Sequence, residues 1–117
     1  MSDRYVPDRG DVIWIRLDPQ AGHEQAGRRP VLVLSPAAYN GIVGLAILCP
    51  ITNQMKGYPF EVAIPSDLKV SGVILSDQAK CLDWQARNAE FICKLPAKIT
   101  TDVLKKLSTL IRISDSA

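Results

Sequence analysis

What this chain lacks narrows its possibilities first. It has three cysteines, Cys49, Cys81 and Cys93, an odd number with no CxxC spacing. That excludes the spaced pairs of a zinc knuckle and the even count of a disulfide framework, and reads as reduced thiols, with Cys49 and Cys93 as core filler. Histidine occurs once, at His23 in a polar loop, where plain solvent exposure is the ordinary expectation. No apolar run approaches the ~18 residues a membrane span needs, and no charged-then-apolar leader opens the chain, so a cytoplasmic protein is expected. A formal net charge of +2 is too small to announce a nucleic-acid binder, so where the charge sits matters more than its total. Internal repeats, low-complexity tracts and linkers are all missing.

What is present fits one globular domain over residues 1–117: nearly half the residues are apolar, enough for one core at this length. Strands are predicted over Asp11 to Leu17, Arg29 to Ser35, Leu45 to Cys49 (stopped by Pro50), Phe60 to Ile64, Gly72 to Leu75, Ala79 to Leu82 and Ala89 to Leu95. Pro36 to Gly41 reads as one helical turn closed by glycine. Thr100-Thr101-Asp102 offers N-cap oxygens, and Val103, Leu104, Leu107, Leu110 and Ile111 then recur at helical spacing, which predicts a C-terminal amphipathic helix. The sum is a mainly β protein with helices, as a small curved barrel or paired sheets. Trp14 reads as core, Phe60 as core by its alternation with Val62, and Trp84 as a residue of an intersubunit surface.

Short strands build no deep cavity, so function should lie on the loops 18–30, 52–59 and 76–88. The first carries Gly22-His23-Glu24-Gln25-Ala26-Gly27-Arg28-Arg29-Pro30 and feeds directly into an apolar strand. Its guanidiniums, carboxylate and carboxamide are the donors and acceptors that grip a phosphodiester.

The same loops resemble the MazF/PemK family of toxin endoribonucleases. The resemblance rests on Arg4-Tyr5-Val6-Pro7, Gly10-Asp11 and Trp14, then on the ordered set G-x-E-Q-x-G-x-R-P from Gly22 to Pro30. Leu34-Ser35-Pro36 and Tyr39-Asn40 follow, then T-x-Q-x-K-G-Y-P-F-E-V from Thr52 to Val62, and finally Asp77-Gln78, Lys80, Trp84 and Arg87. The match runs unshifted from Arg4 to about Arg87. It implies a Src-homology-3-like barrel of the CcdB/MazF/PemK type with added helices, acting as a homodimer. It implies metal-independent, sequence-specific cleavage of single-stranded RNA with no cofactor, an ACA-like site, and control by a MazE-like antitoxin. The products would be a 2′,3′-cyclic phosphate and a 5′-hydroxyl, because RNA carries its own nucleophile in the 2′-hydroxyl.

The resemblance also assigns residues. Arg29 stands where the family has its essential arginine, and Thr52 where it has a threonine that can bond a phosphate oxygen or the attacking hydroxyl. On sequence alone, the favoured reading of Thr52 is a turn residue bonding local backbone. Glu24 can take the proton of the 2′-hydroxyl, accept from a base edge, or aim Arg29. Gln25 suits an adenine edge. Arg28 occupies a position that is histidine in some relatives, and a guanidinium grips phosphate but does not act as a base. Lys56, Gln78, Lys80 and Arg87 complete the expected RNA contacts, with Tyr58 open to base stacking. A rival from the same fold group is a non-enzymatic toxin that jams a DNA topoisomerase. Glu24, Gln25, Arg29 and Thr52 argue against it, since jamming needs no phosphoryl-transfer set.

Overall fold

Apolar runs without strict alternation, such as Val12-Ile13-Trp14-Ile15 and Val31-Leu32-Val33-Leu34, belong to strands buried on both faces. The computed structural model describes residues 4–16 and 27–113, and there these runs form the middle of an antiparallel sheet. Its strands are β1 (Asp11–Arg16), β2 (Arg28–Val33), β3 (Leu45–Thr52), β4 (Glu61–Ala63), β5 (Val73–Leu75), β6 (Lys80–Asp83) and β7 (Glu90–Lys94). Two helices accompany them, α1 (Ala37–Val43) and α2 (Ala97–Ile111). Neither is long and apolar enough to cross a membrane.

The sheet runs β4-β5-β3-β2-β1-β7, with β6 also paired to β3. It is not closed: among the described residues no ladder joins the edges β4 and β7. The barrel-type fold is therefore present as an open sheet with a core on each face. Val12, Leu32, Cys49, Val62 and Ile74 face one core, which Val103 of α2 completes. Their neighbours Ile13, Ile15, Val31, Val33 and Leu48 face the other, with Trp84.

Several expectations change in detail. β3 does not stop at Pro50 but runs two residues past it to Thr52. The Leu34 amide bonds the Ile47 carbonyl at 2.8 Å, and Val31 pairs with Pro50. Counting along that register, residue 50 of β3 turns its amide position away from β2. On that far side β6 pairs only residues 45–48 and β5 only 51–52, so the missing N–H of Pro50 breaks no ladder bond. α1 ends at Gly44, at φ 84, not at Gly41.

α2 begins at Ala97 behind Pro96, three residues before the expected cap, which leaves Thr100 buried inside the helix. Both tryptophans depart from expectation. Trp84 is 6% exposed in the second core and donates its indole N–H to the Asn40 carbonyl at 3.1 Å. Trp14 belongs to neither core and lies half-buried under the Arg28 guanidinium. Phe60 is only half-buried, tilted against Tyr58 at the surface. Cys49 is buried, Cys93 half-buried and Cys81 exposed.

Candidate active-site groove

Strand alternation decides which polar side chains meet. Arg29 shares a face of β2 with Val31, and Thr52 shares a face of β3 with Leu48 and Pro50. Lys80 and Leu82 of β6 and Ile15 of β1 turn to the same side, and all of these line one cavity of about 600 Å³. Its floor is apolar, from Ile15, Val31, Leu48 and Leu82. Its rim is polar, from Arg29, Thr52, Asn53, Gln54, Ser71 and Lys80. The β2–β3 ladder ends at Val31 and Pro50, so Arg29 and Thr52 each lie two residues beyond its last pair, on adjoining strands. Arg29 makes no ion pair or side-chain hydrogen bond with any described residue. A guanidinium so placed, beside a hydroxyl and an ammonium, is an oxyanion-binding arrangement.

Thr52 takes the turn role that its sequence position favours. Its Oγ1 accepts the Gln54 backbone N–H at 3.1 Å, closing a local turn. An acceptor bond leaves the hydroxyl proton free to donate into the groove.

A second cavity of about 260 Å³ continues the first, with Thr52 and Gln54 lining both. Lys56, Tyr58, Glu61, Leu75 and Gln78 enclose it. Glu61 builds this wall from below: its carboxylate accepts the Lys56 amide at 2.9 Å and the Gly57 amide at 3.2 Å. The Tyr58 hydroxyl donates to Asp77. That hydrogen bond, more than partial burial, pushes the phenol pKa up and keeps it protonated. Among the described residues, no cluster of three His, Cys, Asp or Glu could hold a metal ion.

Of the residues singled out in the sequence, Arg29, Thr52 and Lys80 meet in the first cavity, and Thr52, Lys56 and Gln78 in the second. Arg28 is set apart from both. It turns to the opposite face of β2, pairs with Glu90 and lies 4.8 Å from the centre of the Trp14 ring. Arg87 lines neither cavity. It sits at the end of β1, where its carbonyl accepts the Arg16 amide at 2.8 Å and its guanidinium reaches the Arg16 carbonyl at 3.3 Å. Glu24, Gln25 and His23 lie outside the described residues. Asn53, Ser71 and Gly72 were not singled out in the sequence. Asn53 is an unassigned position within a quoted motif, Ser71 falls in no predicted element, and Gly72 opens a predicted strand.

Comparison with known proteins identifies relatives of this chain. The family described as PemK-like, MazF-like toxin of type II toxin–antitoxin system matches residues 8–111. The chain is 53% identical over 89 residues to the endoribonuclease toxin MazF of Escherichia coli strain K12, covering 76% of this chain and 79% of that protein. It is 36% identical over 108 residues to the endoribonuclease PemK of Escherichia coli, covering 89% of this chain and 81% of that protein. Among solved structures, a chain in a crystal structure of MazE–MazF (form II) from Deinococcus radiodurans superposes with a TM-score of 0.91 at 54% identity. That match covers 95% of this chain and all of the other.

Proposed function

This chain belongs to the family of PemK-like, MazF-like toxins of type II toxin–antitoxin systems, and we propose that it is an endoribonuclease that cuts single-stranded RNA in the groove of Arg29 and Thr52. The observation that carries the reading is that Arg29 of β2 and Thr52 of β3 line one cavity, which Lys80 also lines.

In this reading Arg29 holds two non-bridging oxygens of the scissile phosphate, and its grip tightens as the phosphorane gathers charge. Thr52 donates its hydroxyl proton to the same phosphate. The 2′-oxygen attacks phosphorus as its proton leaves, and the bond to the 5′-oxygen breaks. That oxygen takes up a proton, leaving a 2′,3′-cyclic phosphate and a 5′-hydroxyl. Glu24 is the candidate acceptor of the first proton. Lys80 and Lys56 hold flanking phosphates, and Gln78 lines the space for a neighbouring base beside Tyr58. No metal or cofactor is assigned a step. The K-G-Y-P-F-E-V segment supports an ACA-like site.

We further propose a single domain over residues 1–117, working in the bacterial cytoplasm as a homodimer. Exposed Tyr39, Ile42 and Ile47, with Ile111 of α2, supply apolar surface for a second copy. The relative solved as MazE–MazF supports an antitoxin of MazE type as partner. An acidic, apolar antitoxin tail would compete with RNA for the basic groove.

The test is to incubate the purified chain with a long mRNA transcript in EDTA and sequence the fragment ends. Discrete cuts at a short shared site, with cyclic-phosphate and 5′-hydroxyl ends, are expected. Intact RNA at every protein concentration contradicts the proposal.

A further inference from the structure

Ser71 and Gly72 lie where the chain enters β5, outside every motif that carries the proposed chemistry. Gly72 has φ +112, a conformation that side chains rarely adopt. A β-carbon at this position would stand 2.3 Å from the Thr52 carbonyl oxygen, 2.9 Å from the Thr52 carbonyl carbon and 2.9 Å from Asn53 Oδ1. Two of those three atoms are backbone, so the contact is not relieved by a rotamer change.

Gly72 cannot simply back away. Its carbonyl accepts the Ile64 amide at 3.0 Å, and the next residue, Val73, pairs with Ala63 on one side and Thr52 on the other. The turn is thus clamped from β4 while its bare α-carbon abuts the end of β3. Ser71 adds a polar tie: its hydroxyl donates to Asn53 Oδ1 at 3.1 Å, on the rim of the groove.

We infer that the Ser71-Gly72 turn positions Thr52 and Asn53 for the reaction, and that Gly72 is a positioning residue acting through the Thr52 backbone. The inference rests on the proposed role of Thr52. Gly72 touches no substrate. Its missing side chain lets the Thr52 carbonyl seat against β5, and that seat fixes where the Thr52 hydroxyl aims. Adding one methyl forces the end of β3 and the Ser71-Gly72 segment apart. The pairing of β1 with β7 lies elsewhere in the sheet, so the effect should be local.

The test uses Gly72→Ala in the full chain, cutting a long mRNA transcript, with maximal rate and half-saturating concentration measured separately. The maximal rate should fall about 10- to 100-fold, as a misplacement near 1 Å can cause, with half-saturation within about twofold. The Gln54 amide resonance, which reports the bond to Thr52 Oγ1, should shift while those of Val12 and Phe91 stay. A folded Gly72→Ala protein with the wild-type maximal rate overturns the inference, and so does a change confined to half-saturation.

Should Gly72→Ala fail to fold, Ser71→Ala at an exposed site decides. A drop of about threefold in maximal rate with unchanged half-saturation supports the inference, and an unchanged rate overturns it. Thr52→Val on the same transcript separates the two levels of the argument. If it cuts at the wild-type rate, the role of Thr52 fails and the positioning inference falls with it. If it is slow while Gly72→Ala is fast, only the positioning inference fails.

Discussion

Two polar regions of this molecule, one at each end of β1, are built in opposite ways. At its start, Asp11 is 3% exposed and its carboxylate is saturated. It accepts the Tyr5 hydroxyl at 2.6 Å and the Asp8 amide at 3.0 Å, and pairs with Lys94 at 2.9 Å. Burial and then the Asp11 hydrogen bond push the Tyr5 phenol pKa well up. At the other end, Ile15 forms part of the groove floor beside Arg29, which has no partner among the described residues. The first region spends every donor internally and fixes the N-terminal segment onto β1, β7 and α1. The second leaves donors facing outward over an apolar floor. A cluster that completes itself serves the fold, whereas one that stays incomplete is open to a ligand. Arg28 and Arg29 bring the same contrast down to neighbours in sequence, since Arg28 is occupied by Glu90 and Trp14.

Substitutions can break this comparison. The largest effect is expected for Arg29→Ala, which removes a pre-organised donor. Cleavage should slow by about 10²- to 10³-fold, or ~3–4 kcal/mol of transition-state stabilisation, with thermal stability unchanged. Asp11→Ala should do the reverse. It strands the Tyr5 hydroxyl and the Asp8 amide and should cost about 2–3 kcal/mol in urea unfolding, while the folded fraction cuts RNA normally.

The core makes its own pH prediction. Burial, with a smaller contribution from the Asp77 charge, pushes the Cys49 thiol from 9.0 to about 12. The unfolded thiol ionises first, so this contribution is intact below pH 9 and is lost between pH 9 and 12. An alkaline unfolding series should show that decline, shallower in Cys49→Ala. Lys80→Ala should weaken RNA binding for every sequence and reduce the salt slope by about 0.7, the loss of one single-strand phosphate contact. Arg28→Ala is expected to be the mildest, with under about 1 kcal/mol of stability lost and cleavage near wild type.

The fold was largely legible because the strands carry their own signal. Val12 to Ile15, Val31 to Leu34 and Leu45 to Cys49 are apolar and β-branched enough to fix the strand centres. Their ends were less legible. Whether Pro50 ends β3 depends on which edge its missing N–H faces, a property of the neighbouring strands. Trp84 was misjudged for a similar reason: it sits in the second core and bonds Asn40, far away in the chain.

For the site, Arg29, Thr52, Lys56, Gln78 and Lys80 were legible from motifs, and the structure gathers them in two joined cavities. The different orientation of Arg28 was not, since adjacent strand residues turn to opposite faces only once the register is known. Gly72 was also hidden, because a glycine beside a turn gives no sign of the backbone it leans against.

The sharpest test sets the two arginines side by side. The initial cleavage rate of one long mRNA transcript in EDTA should be measured for Arg29→Ala and Arg28→Ala at equal concentrations of folded protein. A rate at least about 100-fold lower for Arg29→Ala, with Arg28→Ala near wild type, is the predicted result. Equal rates, or a greater loss in Arg28→Ala, would contradict a catalytic groove on the Arg29 face of the sheet.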